Sequence, residues 1–278
     1  MPELPEVETI KEALKKSINS AIIESVIVRN RRFREIIPDD FENNISNSKI
    51  KRIYRLAKYI IIDLDNGYSL IWHLGMSGKI KILDNAPCDY DKHDHVIIKT
   101  NKYYIIYNDA RRFGLITYEK TDNLDKNHLF KKIGIDPFDN KLTKDYLLTK
   151  FKNKSIEIKI ALLDQSIING IGNIYASEAL YDAKISPIKK CLDITPNEAE
   201  TLIESIRKIL QKAITAGGST LRDYKKPDGS MGYFQNQHCV YNKTGQKCPN
   251  CCCDINKTGG IKKYYKVDVA LFIVKHYK

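Results

Sequence analysis

The chain has 278 residues, with 46 Lys and Arg against 34 Asp and Glu for a formal net charge of +12. This length can bury a core in one or two domains. With 42% apolar and 29% charged residues it is neither a disordered nor a fibrous sequence, and no apolar run approaches the roughly 18 residues that mark a membrane span.

A helical pattern from Glu6 to about Ile18 opens the chain. Period-two alternation follows in Ile22 to Val28, Lys49 to Tyr54, Tyr59 to Asp65 and Tyr68 to Leu74, which predicts strands. Asn66-Gly67 is a strong two-residue hairpin signal, and Val96 to Asn108 reads as a second hairpin turning near Thr100-Asn101. These strands predict a mostly antiparallel sandwich or flattened barrel. From Asn140 onward the pattern lengthens to the helical period, with helices expected over Leu142 to Phe151, Ser155 to Leu163, Ile174 to Tyr181 and Glu198 to Ala213. Thr195-Pro196 supplies a cap and a first-turn proline for the last of these. The fold expected is therefore α+β in two domains, with Gly134 to Pro137 as linker. The proposed boundaries are 1–135 for the β-sandwich with its flanking helix, 136–235 for the helical part and 236–278 for a tail.

Charge is distributed unevenly: residues 1–140 carry +2 and residues 141–278 carry +10. A polyanion therefore suits the second half. No charged-then-apolar leader opens the sequence, so a cytoplasmic, reducing setting is expected, where the seven cysteines are thiols or metal ligands before they are disulfides. No oligomerisation seam is visible, and a monomer is expected.

The N-terminus reads Met1-Pro2-Glu3-Leu4-Pro5-Glu6-Val7-Glu8-Thr9. Prolines and carboxylates in a first turn fit an ordinary helix start. Pro2 also allows removal of Met1, leaving a secondary amine. An α-amine with a pKa of about 8 is roughly a tenth neutral at pH 7 and can act as a nucleophile, with Glu3 moving protons.

Further segments repeat a known arrangement in order. They are Ala57-Lys58-Tyr59, His73-Leu74-Gly75-Met76-Ser77-Gly78, His93-Asp94-His95-Val96, Asp109-Ala110-Arg111-Arg112-Phe113-Gly114, and Leu163-Asp164-Gln165 followed by Gly170-Ile171-Gly172-Asn173-Ile174-Tyr175-Ala176. Together with the N-terminal run, the chain closely resembles formamidopyrimidine-DNA glycosylases from residue 1 to about 253. Leu4 favours this branch over the related endonuclease VIII branch, which carries glycine there.

The resemblance implies a bifunctional glycosylase and abasic-site lyase of base excision repair, acting on 8-oxoguanine and formamidopyrimidines in duplex DNA. Pro2 would attack the anomeric carbon, expel the damaged base and leave a Schiff base to the sugar. Glu3 would serve as acid and base, with Glu6 supporting it, and Lys58 would bring charge or a proton to the sugar and phosphate. Such an enzyme must extrude its nucleotide from the duplex and fill the gap. Met76, Arg111 and Phe113 match the intercalating residues of the family, although read alone Met76 and Phe113 would fit a core. His93, Arg111 and Lys154 match DNA-contacting positions. Asn173, at the turn of a helix-two-turns-helix element from Ser155 to Leu180, would meet a phosphate at a helix N-terminus. Ala216 to Tyr224 resembles the loop that covers the flipped base.

The family ends in a zinc finger with two cysteine pairs and an arginine between them. Here Cys248 and Cys251 have ligand spacing, but no cysteine follows Gly260, and Ile261 stands near the place of the arginine. One zinc is implied by the resemblance, yet the pair is half of a closed four-ligand site, and Cys239, His238 and His276 have no spacing that completes it. Asp268 to Val274 can be encoded GAC GTA GCA CTT TTT ATT GTA, which read from its third base gives Arg-Ser-Thr-Phe-Tyr-Cys, a string resembling the missing finger tip. A frameshift is the origin this suggests. A degenerate finger predicts weaker DNA binding and a bias toward the first elimination. The alternative reading is a DNA-binding homologue with impaired or lost catalysis.

Overall fold

The computed structural model describes residues 1–219, 233–258 and 264–266. The chain divides into two compact units, Met1–Lys131 with Ala213–Gln235, and Lys132–Lys212 with Asn236–Lys278. Residues 213–235 thus group with the N-terminal strands rather than with the helices just before them.

The first unit opens with α1 (Leu4–Ile18), whose Val7, Ile10, Leu14 and Ile18 recur at helical spacing and are buried. The strands are β1 (Ile22–Val28), β2 (Ser48–Leu56), β3 (Tyr59–Leu64), β4 (Tyr68–His73), β5 (Lys79–Leu83), β6 (Asp94–Thr100), β7 (Tyr104–Asn108) and β8 (Leu115–Lys120), with the short α2 (Phe41–Ile45) after β1. All neighbours are antiparallel, in the order β5-β7-β6-β1-β2-β3-β4-β8. The middle of this order is thin. β1 and β2 share only the pairs Ile22↔Lys49 and Ile23↔Ser48, so two four-stranded halves meet at a corner. One core fills the space between them: Ile23, Val96 and Ile98 from one half, Ile60, Ile62 and Trp72 from the other, and the apolar stripe of α1. This is the expected β-sandwich with its flanking helix.

Both expected hairpins form. Gly67 takes φ +84° at the β3–β4 turn, a left-handed conformation that suits glycine. The β6–β7 loop is tied by Thr100 Oγ1, which accepts from the amides of Lys102 and Tyr103. Three elements were not expected from the sequence: α2, β5 and β8. β8 buries consecutive Leu115 and Ile116 rather than alternating, so period-two reasoning passes over it.

The second unit contains α3 (Lys144–Phe151), α4 (Ile158–Leu162), α5 (Asn173–Asp182) and α6 (Pro196–Thr215), the last running on into residues of the first unit. α6 begins with a reciprocal cap. Thr195 Oγ1 accepts from the Glu198 amide, and Glu198 Oε2 accepts from the Thr195 amide at 2.9 Å. The C-terminal segment is fastened to α5 by Glu178, which is buried. Its carboxylate accepts from the amides of Cys239, Val240 and Tyr241 at 2.8, 3.0 and 2.7 Å. Val240, Cys248 and Ile255 form a small core there with Tyr181 against it. A two-stranded antiparallel ladder, β9 (Asn256–Thr258) with β10 (Tyr264–Lys266), follows. No helix among the described residues is long and apolar enough to cross a membrane.

Candidate active site

The chemistry-bearing N-terminus is built by the start of α1. Pro2, Glu3 and Glu6 are all buried. Glu3 is the N-cap: its side chain accepts from the Glu6 amide, while Glu6 Oε2 accepts from the Glu3 amide at 2.8 Å. The second carboxylate oxygen of Glu6, Oε1, accepts from the amide of Ser219 at 2.8 Å. Glu6 therefore ties residues 217–219 to the start of the helix that carries Glu3.

Lys58 reaches the same place from the two-residue turn between β2 and β3, where Leu56 pairs with Tyr59. Ala57 adopts φ +55° in that turn, a conformation alanine takes only under constraint. Lys58 is buried, and its pKa is lowered by that burial, against the pull of the nearby Glu3 and Glu6 carboxylates. An ammonium in such surroundings is a better proton donor than one in water.

His73 opens the His73-to-Gly78 motif, and its sequence position implies no role for it. It ends β4 opposite Tyr59, with the rings 4.7 Å apart, and its Nδ1 accepts from the Gly75 amide at 3.0 Å. Burial, with Arg34 and Lys58 nearby, pushes its pKa down to about 3, so the imidazole is neutral at physiological pH. Arg34 was also missed. Its guanidinium donates to Tyr59 Oη at 3.3 Å and its amide to the Gly114 carbonyl at 3.2 Å. The signal available in the sequence was the run of Arg29, Arg31, Arg32 and Arg34.

A cavity of about 700 Å³ opens beside this cluster, lined among others by Met1, Arg34, His73, Met76, Arg111 and Phe113. Met76 and Phe113 are 41% and 49% exposed, which is far more than a core assignment permits. The Arg111 guanidinium lies 4.6 Å over the Phe113 ring. An exposed thioether, an exposed aromatic ring and a guanidinium on two adjacent loops can replace lost base stacking and donate to an orphaned base. Met1, which is joined to the Pro2 nitrogen, lines this cavity. His93 is half-buried just before β6, and its carbonyl accepts from the Asp109 amide at 3.0 Å.

Lys154 and Asn173 belong to the second unit. Asn173 is exposed at the first position of α5, after Gly170 at φ +80°. Gln165 holds that turn by donating to the Ile171 carbonyl and accepting from the Gly170 amide, at 2.8 and 2.9 Å. An α5 N-terminus with an exposed amide side chain is suited to an anion. Lys154 is half-buried after α3, with its amide bonded to the Phe151 carbonyl.

The cysteines do not make a closed zinc site. Cys248 is buried, with Tyr181 Oη 3.3 Å and the Asn250 amide 3.4 Å from its Sγ, and Cys251 lies on the same turn. Cys239 and Cys253 pack around the same small core. Even so, no three His, Cys, Asp or Glu side chains among the described residues are grouped to hold a metal ion. The donor set of Cys248 and Cys251 therefore does not fit the four-ligand zinc that the family implies. His276, Ile261 and the residues from Asp268 to Val274 lie outside the described residues, as does the loop segment from Thr220 to Tyr224.

Comparisons with known proteins identify the family. The formamidopyrimidine-DNA glycosylase N-terminal domain matches residues 1–116, and the H2TH domain of the same enzymes matches residues 133–225. The formamidopyrimidine-DNA glycosylase of Rickettsia felis is 46% identical over 93% of both chains, and that of Rhodospirillum rubrum 38% identical over 95% of this chain and 94% of the relative. Among solved structures, Lactococcus lactis Fpg bound to abasic-site DNA superposes with a TM-score of 0.87 at 35% identity, covering 96% of this chain and 98% of that one. A variant of the same protein bound to Fapy-dG DNA gives 0.88 at the same identity and coverage. Sequence and fold lead to one assignment: the chain belongs to the formamidopyrimidine-DNA glycosylase family.

Proposed function

We propose that this chain removes oxidised purines, 8-oxoguanine and formamidopyrimidines, from duplex DNA and then cleaves the resulting abasic strand, through a Schiff base on Pro2. The observation that carries the reading is the burial of Glu3, Glu6 and Lys58 around the start of α1, beside a cavity lined by Met76, Arg111 and Phe113. The solved complexes of the Lactococcus lactis relative with Fapy-dG and abasic-site DNA support the substrate class.

With Met1 removed, the Pro2 nitrogen forms a bond to the sugar C1′ as the glycosidic bond breaks and the base leaves with a proton. Glu3 exchanges protons with the opening sugar ring. The resulting iminium draws electrons from C2′, a proton leaves that carbon, and the 3′ phosphate departs by elimination. Lys58, with its lowered pKa, donates a proton within this sequence or offsets phosphate charge. His93, Arg111, Lys154 and Asn173 contact the DNA, while Met76 and Phe113 fill the stack. Because Cys248 and Cys251 do not complete a zinc site among the described residues and the family's finger arginine has no counterpart in the sequence, the second elimination lags the first.

Incubation with a duplex carrying 8-oxoguanine opposite cytosine, followed by borohydride, is expected to trap a covalent protein–DNA adduct, and Pro2→Gly is expected to abolish it. Adduct formation that survives Pro2→Gly removes Pro2 from the mechanism. Absence of any adduct with duplex binding retained favours a noncatalytic DNA-binding homologue, the reading that the incomplete cysteine set supports.

A further inference from the structure

We propose that Asp109 is a positioning residue that fastens the two wedge loops, residues 73–78 and 109–114, so that Met76, Arg111 and Phe113 are presented to the duplex as one rigid group. The inference rests on the reading that these three side chains enter the base stack. Asp109 itself touches no substrate: it is fully buried, directly after β7.

Its carboxylate gathers donors from both loops. Oδ1 accepts from Ser77 Oγ at 2.5 Å and from the Arg111 amide at 3.3 Å, and Oδ2 accepts from the Gly114 amide at 2.9 Å and the Tyr107 hydroxyl at 3.5 Å. Ser77 Oγ also accepts from the Arg111 amide at 3.2 Å, which closes a small ring of bonds across the loops. A carboxylate offers about four lone-pair sites and no donor, and here four donors meet it. These donors flank the wedge: Ser77 follows Met76, the Arg111 amide belongs to a wedge residue, and Gly114 follows Phe113.

The carboxylate is anchored in turn. The Asp109 amide donates to the His93 carbonyl at 3.0 Å, and the Asp109 carbonyl lies 3.0 Å from His95 Nε2. The loops also have no room to drift inward. A Cβ placed on Gly114 would fall 1.7 Å from the Tyr107 hydroxyl, and one on Gly75 would fall 2.4 Å from the Gly114 nitrogen. Met76 and Phe113, roughly half-exposed, lack the packing that would orient them by themselves. Their placement is set from behind, by a buried carboxyl group.

An asparagine at 109 keeps one acceptor oxygen and turns an NH₂ group toward donors, so it breaks at least one arm while preserving volume. The test uses a duplex with 8-oxoguanine and an adjacent 2-aminopurine, whose fluorescence rises when stacking is disrupted, and a single-stranded abasic oligonucleotide, which requires no wedge. Asp109→Asn is expected to slow the fluorescence step and to lower the ratio of duplex to single-strand cleavage rates at least tenfold. Ser77→Ala, which removes one donor, is expected to lower that ratio several-fold and carries the test if Asp109→Asn does not fold. Met76→Ala and Phe113→Ala serve as references. If these references lower the ratio while Ser77→Ala and any folded Asp109→Asn leave it unchanged, the positioning role is overturned and the wedge reading stands. If the references also leave it unchanged, the wedge reading falls and the inference with it.

Discussion

His73 occupies a position where protonation is opposed on every side: it is buried, with the Arg34 and Lys58 cations near it. Its folded-state pKa of about 3 lies below the value of about 6.5 expected for the unfolded chain. Between these two values the unfolded chain binds a proton that the folded chain refuses, so this group removes stability as pH falls from about 6.5 toward 3. Urea unfolding across that range is expected to show a shallower acid loss for His73→Gln than for the parent chain. Equal slopes would remove His73 from the acid response. The neighbouring cations give the same residue a second property. An anion entering the cavity would offset Arg34 and Lys58 and make the imidazolium easier to form, so DNA binding is expected to take up protons below neutral pH.

At the scale of elements, Glu178 on α5 fastens residues 239–241 through their three amides. Burial raises its pKa, while the three amides of residues 239–241 favour the ionised form. Glu178→Ala leaves those amides without their carboxylate and is expected to lower stability by about 2 kcal/mol. Hydrogen exchange should show the amides of residues 239–241 losing protection first, and unchanged protection there would contradict the anchoring role. The sequence made some elements plain and hid others for physical reasons. Asn66-Gly67 announces the β3–β4 hairpin because glycine at the second turn position relieves a steric penalty. Thr195, Pro196 and Glu198 announce α6 because each satisfies a requirement of its first turn. The β2–β3 turn is silent, since alanine at φ +55° is disfavoured locally and is held there by the strands around it. The same division applies to the site. Pro2, Met76, Arg111 and Phe113 are proposed from the family resemblance, whereas the surroundings of His73 and Asp109 arise from cross-strand placement that no spacing along the chain encodes.

For the whole molecule, the excess of positive charge lies on residues 141–278, the portion that includes Lys154 and the exposed Asn173 of the α5 N-terminus. Duplex affinity is therefore expected to fall steeply with salt. Neutralising about six phosphates gives a log–log slope near about −5, and a nearly flat dependence would contradict duplex binding. The bond between Glu6 and the Ser219 amide joins residues 213 positions apart. Next to it, Gly218 stands at φ +79°, and a Cβ there would fall 3.0 Å from Glu6 Oε1 and 3.2 Å from its Cγ. A side chain at 218 would carry the strain of a left-handed backbone and would need the Glu6 side chain to give by a few tenths of an ångström. Glu6 thus couples two distant stretches of chain: a change at 218 or 219 is felt at the start of α1, where the same carboxylate accepts from the Glu3 amide.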